Sequence, residues 1–367
     1  MAMVSTVAAD LGHTVLFGAL CGGRLLHLIS AERAFDPDRF AEYMAHHEVS
    51  VLKIVPSHLQ ALLSAADPAA VLPRDCLVVG GEATRWPLLE KLGQLRPSMR
   101  VLNHYGPTET TVGILTQPAA DASRAAATLP LGYPLPNSEV WVLDEQLEPV
   151  ACGVVGELYL GGEGTARGYQ ARAAQTAERF VAHPFADGRR LYRTGDRVRM
   201  LADGALEFLG RIDDQIKIRG YRVELREVTQ ALLALPGVAT AEAVARDGED
   251  GRVRLYGYVV PRAGMTLDAA ALQSQLAARL PDYMVPASIM VLEAMPLNAN
   301  GKVDRRALPE PARIGADGDA PQGAVEQALA AVWCEVMGLE DIGRHDNFFE
   351  LGGDSILSLQ IVARSRK

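Results

Sequence analysis

The sequence predicts an α/β protein followed by a smaller α+β unit and a helical segment. Three observations carry that expectation. Short apolar runs alternate with helical patterns from residue 1 to about residue 211. Beyond Arg211 the order becomes helix, two strands, helix and strand. A Pro-, Gly-, Ala- and Asp-rich stretch then precedes one apolar helical stripe. The expected divisions are 1–212, 213–308, a linker at 309–322, and 323–367.

The elements follow from local pattern. Val51–Val55, Cys76–Val79 and Val140–Leu143 are nearly continuous apolar runs, as buried strands require. Pro37–His46 and Trp86–Leu95 carry helical spacing between them. From Gly156 the pattern shortens: GELYLGGEGTARGY (156–169) reads as a strand pair punctuated by glycine, and Ala202–Gly204 as a turn. Leu225, Val228, Leu232 and Leu235 share one helix face, which Pro236-Gly237 stops. Strands are expected at Val238–Val244 and Val253–Val260, a helix at Leu267–Leu280 and a last strand at Ile289–Leu292. PEPARIGADGDAPQ (309–322) has little to bury and reads as linker. Val325, Leu329, Val332 and Val336 form the final stripe, and a further helix follows Ser355.

Composition removes several functions. The net charge of -9 is spread along the chain with no basic, aromatic-interleaved patch, so nucleic acid is not an expected partner. Cys21, Cys76, Cys152 and Cys334 stand far apart without a C-x-x-C pair, which argues against a disulfide framework or a zinc site. The early apolar stretch Leu11–Ile29 is interrupted by His13, Arg24, His27 and glycines, so neither a membrane span nor a signal peptide is expected. These features point to a cytoplasmic enzyme with reduced thiols.

The chemistry lies in short motifs. NHYGPTE (103–109) offers an aromatic face for a purine, a Gly-Pro turn, and a hydroxyl and carboxylate suited to a phosphate oxygen and Mg²⁺. YRTGD (192–196) sets Asp196 after a Thr-Gly turn, where a carboxylate can accept from two ribose hydroxyls. GRIDDQIKIRGYRVEL (210–225) carries Arg211, Asp213 and Lys217. LPDYMVP (280–286) brackets a turn with prolines, and NANGKVDRRAL (298–308) puts Lys302 in a glycine turn. DNFFELGGDSI (346–356) presents Ser355 after two glycines at a helix start, a position that favours an attached phosphate.

In this order and spacing the segments resemble the adenylation domain of a non-ribosomal peptide synthetase, followed by its peptidyl carrier domain. The wider superfamily is that of adenylate-forming enzymes. The resemblance implies stacked α/β subdomains, a small mobile C-terminal lid from Asp213 to Leu308, and a helical-bundle carrier from residue 323. It implies ATP, Mg²⁺ and 4′-phosphopantetheine, and two steps: an amino acid is adenylated, then passed to a thiol on the carrier. By the same match Lys302 neutralises the reacting oxygens, Glu109 holds Mg²⁺ and Thr108 a phosphate oxygen. Tyr105 stacks on the adenine and Asn103 bonds its edge, Gly81 is a further ATP/AMP contact, and Asp196 and Arg211 fix the ribose. Asp213 is the hinge, Lys217 lies on the loop that turns toward the site, and Ser355 receives phosphopantetheine.

The resemblance also maps a substrate pocket onto Asp10, Leu11, Thr14, Lys53, Val78, Gly80, His104, Val112 and Gly113. Asp10 is the expected partner of the substrate ammonium. Lys53 interrupts an apolar run, where an ammonium is costly without a counter-charge, and His104 is the other basic group of the set. The set resembles that of aspartate-activating domains, so L-aspartate is the expected substrate. Asparagine-activating relatives share much of it but usually carry an acidic residue at the His104 position.

Two departures qualify the match. Nothing upstream of Asp10 resembles the family's lysine-bearing phosphate loop, and nothing after the Ser355 helix supplies the later carrier helices. The chain is therefore expected to be an N-terminally truncated large subdomain with a truncated carrier, weakly active or inactive by itself. Its expected partners are a phosphopantetheinyl transferase and neighbouring condensation and thioesterase domains. Competing readings are an acyl-CoA-ligase-like enzyme, a non-catalytic carrier fragment, and a remnant without function.

Overall fold

The computed structural model describes residues 1–218, 220–247, 253–298, 302–310, 319–339, 341–346, 348, 351, 353 and 355–365. The chain forms two compact units, Met1–Asp213 and Asp214–Lys367.

The first unit contains two sheets. Strands β1 (Ala2–Met3), β2 (His27–Leu28), β3 (Val51–Ile54), β4 (Cys76–Val79), β5 (Arg100–Tyr105), β6 (Leu115–Pro118) and β7 (Tyr133–Pro134) form the first. Their order is β2-β1-β3-β4-β5-β6-β7. The strands from β2 to β5 pair in parallel, whereas β6 and β7 run antiparallel. Parallel pairs need crossover helices. Helix α1 (His13–Cys21), the short α2 (Ala31–Ala34), α3 (Pro37–His46), α4 (Pro56–Leu62) and α5 (Trp86–Leu95) lie between the parallel strands in sequence. Helix α3 starts where Asp36 accepts from the Arg39 N–H and Pro37 fills the first turn. Phe40, Leu59, Leu62 and Leu92 from these helices share one core with Leu52, Ile54, Leu77 and Val79 of the sheet. Each fully buried aliphatic side chain there contributes about 2 kcal/mol.

The second sheet comprises β8 (Ser138–Leu143), β9 (Val155–Gly162), β10 (Phe180–Ala182), β11 (Arg190–Met200) and β12 (Leu206–Arg211). It is antiparallel, in the order β10-β11-β9-β8, with β12 paired to β11. Helix α6 (Ala173–Arg179) precedes β10. Two expectations are corrected here. Residues 156–169 are not a strand pair: one strand ends at Gly162, where the φ is +108°, and the rest is loop. Asp196 does not follow a turn: β11 runs through it, and the Thr-Gly step lies in a bulge where the register against β9 shifts between Arg193 and Arg197, while against β12 it shifts between Asp196 and Val198. Gly195 supplies the φ of +77° that the bulge needs.

The second unit opens with a hairpin of β13 (Gln215–Ile218) and β14 (Tyr221–Glu224). Helix α7 (Leu225–Leu233), β15 (Val238–Asp247), β16 (Val253–Pro261), α8 (Ala269–Ala277) and β17 (Ser288–Val291) follow. The three strands form a β15-β16-β17 sheet. Leu225, Val228 and Leu232 of α7 are buried with Val259, Leu272 and Ile289, the face that sequence spacing indicated. Helices α9 (Gly323–Met337) and α10 (Ser355–Ser365) complete the described elements. Val325 and Leu329 of the α9 stripe are 73% and 41% exposed. Most of the expected linker lies outside the described residues, as do Gly301, Gly352 and Asp354.

Candidate active site

The expected pocket residues gather at the carboxyl ends of the parallel strands, where open α/β sheets bind ligands. Lys53 is on β3, Val78 on β4, Gly80 and Gly81 just after it, and His104 on β5. Asp10 and Leu11 lie on a 3-10 turn that leads into α1, and Thr14 is in the first turn of α1. Thr108 and Glu109 occupy a second 3-10 turn, with Val112 and Gly113 beyond it.

Lys53 is the centre of a polar cluster. Its residue is only 3% exposed. Its Nζ donates to Thr14 Oγ1 at 2.7 Å and to His104 Nδ1 at 3.1 Å. An ammonium has only donors, so His104 accepts at Nδ1 and carries its proton on Nε2. Burial lowers the Lys53 pKa to about 8, against an opposing pull from Asp10. Burial, followed by the Lys53 charge, lowers His104 to about 4, so its ring is neutral at pH 7. Gly113 makes room for that ring, since a Cβ there would fall inside the imidazole. Thr111 and Val112 stand at φ +63° and +69°, a strained conformation for a β-branched pair. Asp10 accepts from the Thr108 hydroxyl, which joins the expected amine and phosphate positions.

A second constellation is anchored on β11. The Asp196 carboxylate accepts from the Tyr105 hydroxyl and from Arg211. Burial, then the Asp196 charge, pushes the Tyr105 hydroxyl well above its ordinary pKa. Arg211 also donates to Asp213, through Nε at 2.6 Å and Nη2 at 2.9 Å. Arg179 adds a 3.1 Å bond to Asp213. Burial by itself would raise the Asp213 carboxyl, but the two guanidiniums more than offset it and hold the group below the usual range. Asn103 is buried, and its amide donates to the carbonyls of Pro130 at 2.7 Å and Leu129 at 3.4 Å.

Glu109 is 8% exposed and accepts from the Tyr169 hydroxyl at 2.5 Å. Sequence reasoning missed Tyr169 and Arg179. Tyr169 closes a quoted motif, yet no spacing signals a partner sixty positions away. Among the described residues no cluster of three or more His, Cys, Asp or Glu could hold a metal. A single carboxylate still fits Mg²⁺, which typically takes one or two carboxylates plus substrate phosphates.

The remaining expected residues belong to the second unit. Lys217 is on β13 and exposed. Lys302 is exposed, and its main-chain N–H donates to Asn298 Oδ1 at 3.1 Å. Ser355 is the first residue of α10. Ahead of it the Gly353 N–H donates to the Phe348 carbonyl at 2.8 Å, and the Phe348 ring meets Trp333 edge-on at 5.2 Å.

Comparison with known proteins bears on this arrangement. Residues 1–170 match the AMP-binding enzyme family, 227–302 its C-terminal domain, and 327–367 the phosphopantetheine attachment site. The class is therefore that of adenylate-forming enzymes with an attached carrier segment. Isonitrile lipopeptide synthase of Mycobacterium tuberculosis is 45% identical over 95% of the chain. Tyrocidine synthase 3 of Brevibacillus parabrevis is 42% identical over 95%. The structure of holo-PA1221, an NRPS protein containing adenylation and PCP domains, superposes with a TM-score of 0.80 at 29% identity over 99% of the chain. The chain belongs to the non-ribosomal peptide synthetases, as an adenylation domain with its small C-terminal domain followed by a carrier domain. It spans 14% and 5% of the two curated relatives and 60% of the solved one. Among the described residues no helix is long and apolar enough to cross a membrane.

Proposed function

We propose that the chain is the part of a synthetase module that activates L-aspartate with ATP and loads it onto its own carrier. The observation that carries this reading is the buried Lys53 ammonium, held by Thr14 and His104 beside Asp10. Asp10 would bind the substrate α-ammonium. Two of the three Lys53 donors are engaged within the pocket, and the third would meet the substrate side-chain carboxylate. A buried ammonium is costly unless paired, and an acidic side chain supplies the missing charge. Neutral His104 keeps a second N–H, on Nε2, for the same carboxylate.

In the adenylation step the substrate α-carboxylate attacks the α-phosphorus of ATP. The bond to the bridging oxygen breaks and pyrophosphate leaves. Lys302 would neutralise the charge on the reacting oxygens. Asp196 and Arg211 would fix the ribose, Tyr105 and Asn103 would meet the base, and Gly81 would be a further nucleotide contact. The present bonds of Asp196 with Tyr105 and Arg211 support a pre-set carboxylate there. Thr108 would bond a phosphate oxygen. Glu109 would hold Mg²⁺, whose chemistry is to offset phosphate charge. The division of the chain after Asp213 supports that residue as the hinge that reorients Lys302 and Lys217.

Ser355, at the start of an eleven-residue helix, would carry 4′-phosphopantetheine, favoured there by the helix N-terminus. That group supplies a thiol to accept the aminoacyl unit. The parent module would work in the cytoplasm, which fits four unpaired cysteines, with a phosphopantetheinyl transferase and neighbouring condensation or thioesterase domains as partners. ATP–pyrophosphate exchange by the complete parent protein, extended upstream of Met1, over a panel of amino acids tests the reading. Exchange with aspartate is expected. Exchange with a neutral residue and none with aspartate would sink it.

A further inference from the structure

The Tyr169 hydroxyl, which donates to the Glu109 carboxylate, comes from the loop that follows β9. Residues 166–169 wrap the Glu109 turn on two sides. The Ala166 N–H donates to the Glu109 carbonyl at 2.8 Å, and the Tyr169 hydroxyl donates to Glu109 Oε1 at 2.5 Å. Tyr169 is itself fixed. Its main-chain N–H donates to Thr176 Oγ1 at 2.9 Å, and its ring meets Phe180 edge-on at 5.6 Å. Gly168, at φ +138°, lies so close to the Thr176 side chain that no Cβ fits. A reciprocal bond runs the other way, from Tyr105 just before the Glu109 turn to Asp196 on β11. Two phenols thus lock the two carboxylates to which the proposed chemistry assigns metal and ribose.

We propose that Tyr169 is a positioning residue that presents the Glu109 carboxylate to a divalent cation. The proposal rests on the reading of Glu109 as the metal carboxylate. A phenol that donates to an ionised carboxylate makes a charge-assisted bond, about twice as strong as a neutral one. It fixes the direction of the remaining lone pairs and removes the entropy that a free glutamate would lose on binding a cation.

The test is Mn²⁺ binding to the purified protein with a non-hydrolysable ATP analogue, followed by water-proton relaxation. Tyr169→Phe should weaken Mn²⁺ binding roughly 10- to 100-fold, with binding of the metal-free analogue unchanged. A purely structural tyrosine would move neither quantity or both together. Unchanged or tighter Mn²⁺ binding in Tyr169→Phe, alongside its loss in Glu109→Gln, overturns the proposal. If Glu109→Gln also binds Mn²⁺ normally, the metal reading of Glu109 fails and the proposal falls with it. Should Tyr169→Phe not fold, Thr176→Val loosens the same tyrosine through its main chain. It too should raise the Mn²⁺ requirement, and an unchanged requirement again overturns the idea.

Discussion

Lys53 ties substrate choice to pH. Its pKa of about 8 lies below the ordinary 10.5 because burial disfavours the charge. Only the protonated amine can pair with a carboxylate. Aspartate binding should therefore be full well below pH 8 and weaken as pH rises through it, visible as a rising KM in exchange assays. His104 stays neutral in that window, since its pKa is about 4. Folding stability moves the other way. Between about pH 8 and 10.5 the unfolded chain holds a proton on Lys53 that the folded chain has lost, so this residue makes the fold more stable as pH rises. A flat KM from pH 7 to 9.5 would contradict the coupling. The sequence disclosed Lys53 because a lysine inside an apolar run is costly. It did not disclose that Gly113 clears the space for the His104 ring, since that needs the fold.

At the scale of elements, β1, β2, α1, α2 and α4 went unread, but β3, β4, α3 and α5 were legible from their own periods. The antiparallel sheet was less so. GELYLGGEGTARGY is rich in glycine whether it makes one strand or two, and only the pairing of β9 with β8 and β11 settles the matter. The Asp196 bulge was misread for a related reason, because a Thr-Gly step looks the same in a turn and in a strand. Gly195 sits at φ +77°, where an added Cβ would come within 2.8 Å of the Arg211 guanidinium and 2.9 Å of Asp213. Gly195→Ala should lower unfolding stability by about 1–2 kcal/mol in urea titration and disturb ribose binding as well. An unchanged midpoint would mean that the bulge does not need the left-handed conformation.

For the whole molecule, separate segments carry separable tasks. Ser355→Ala should gain no mass on incubation with a phosphopantetheinyl transferase and coenzyme A, yet keep full ATP–pyrophosphate exchange in the complete protein. Lys302→Ala should do the reverse: it should accept phosphopantetheine normally and lose exchange by roughly 100- to 1,000-fold. If Lys302→Ala retained exchange, its assignment to the reacting oxygens would be wrong. These roles were readable only from family motifs. A helix start favours a phosphate at Ser355 but does not by itself mark it out, and nothing in the local chemistry of an exposed lysine singles it out.

The pocket reading turns on one charge, and the direct measurement is discrimination between aspartate and asparagine with and without it. The unmodified protein should favour aspartate, and Lys53→Met should erase roughly 10- to 100-fold of that preference, the worth of one hydrogen bond to a charged group. A preference for aspartate that survives the loss of Lys53 intact would contradict the assignment of that charge to substrate choice.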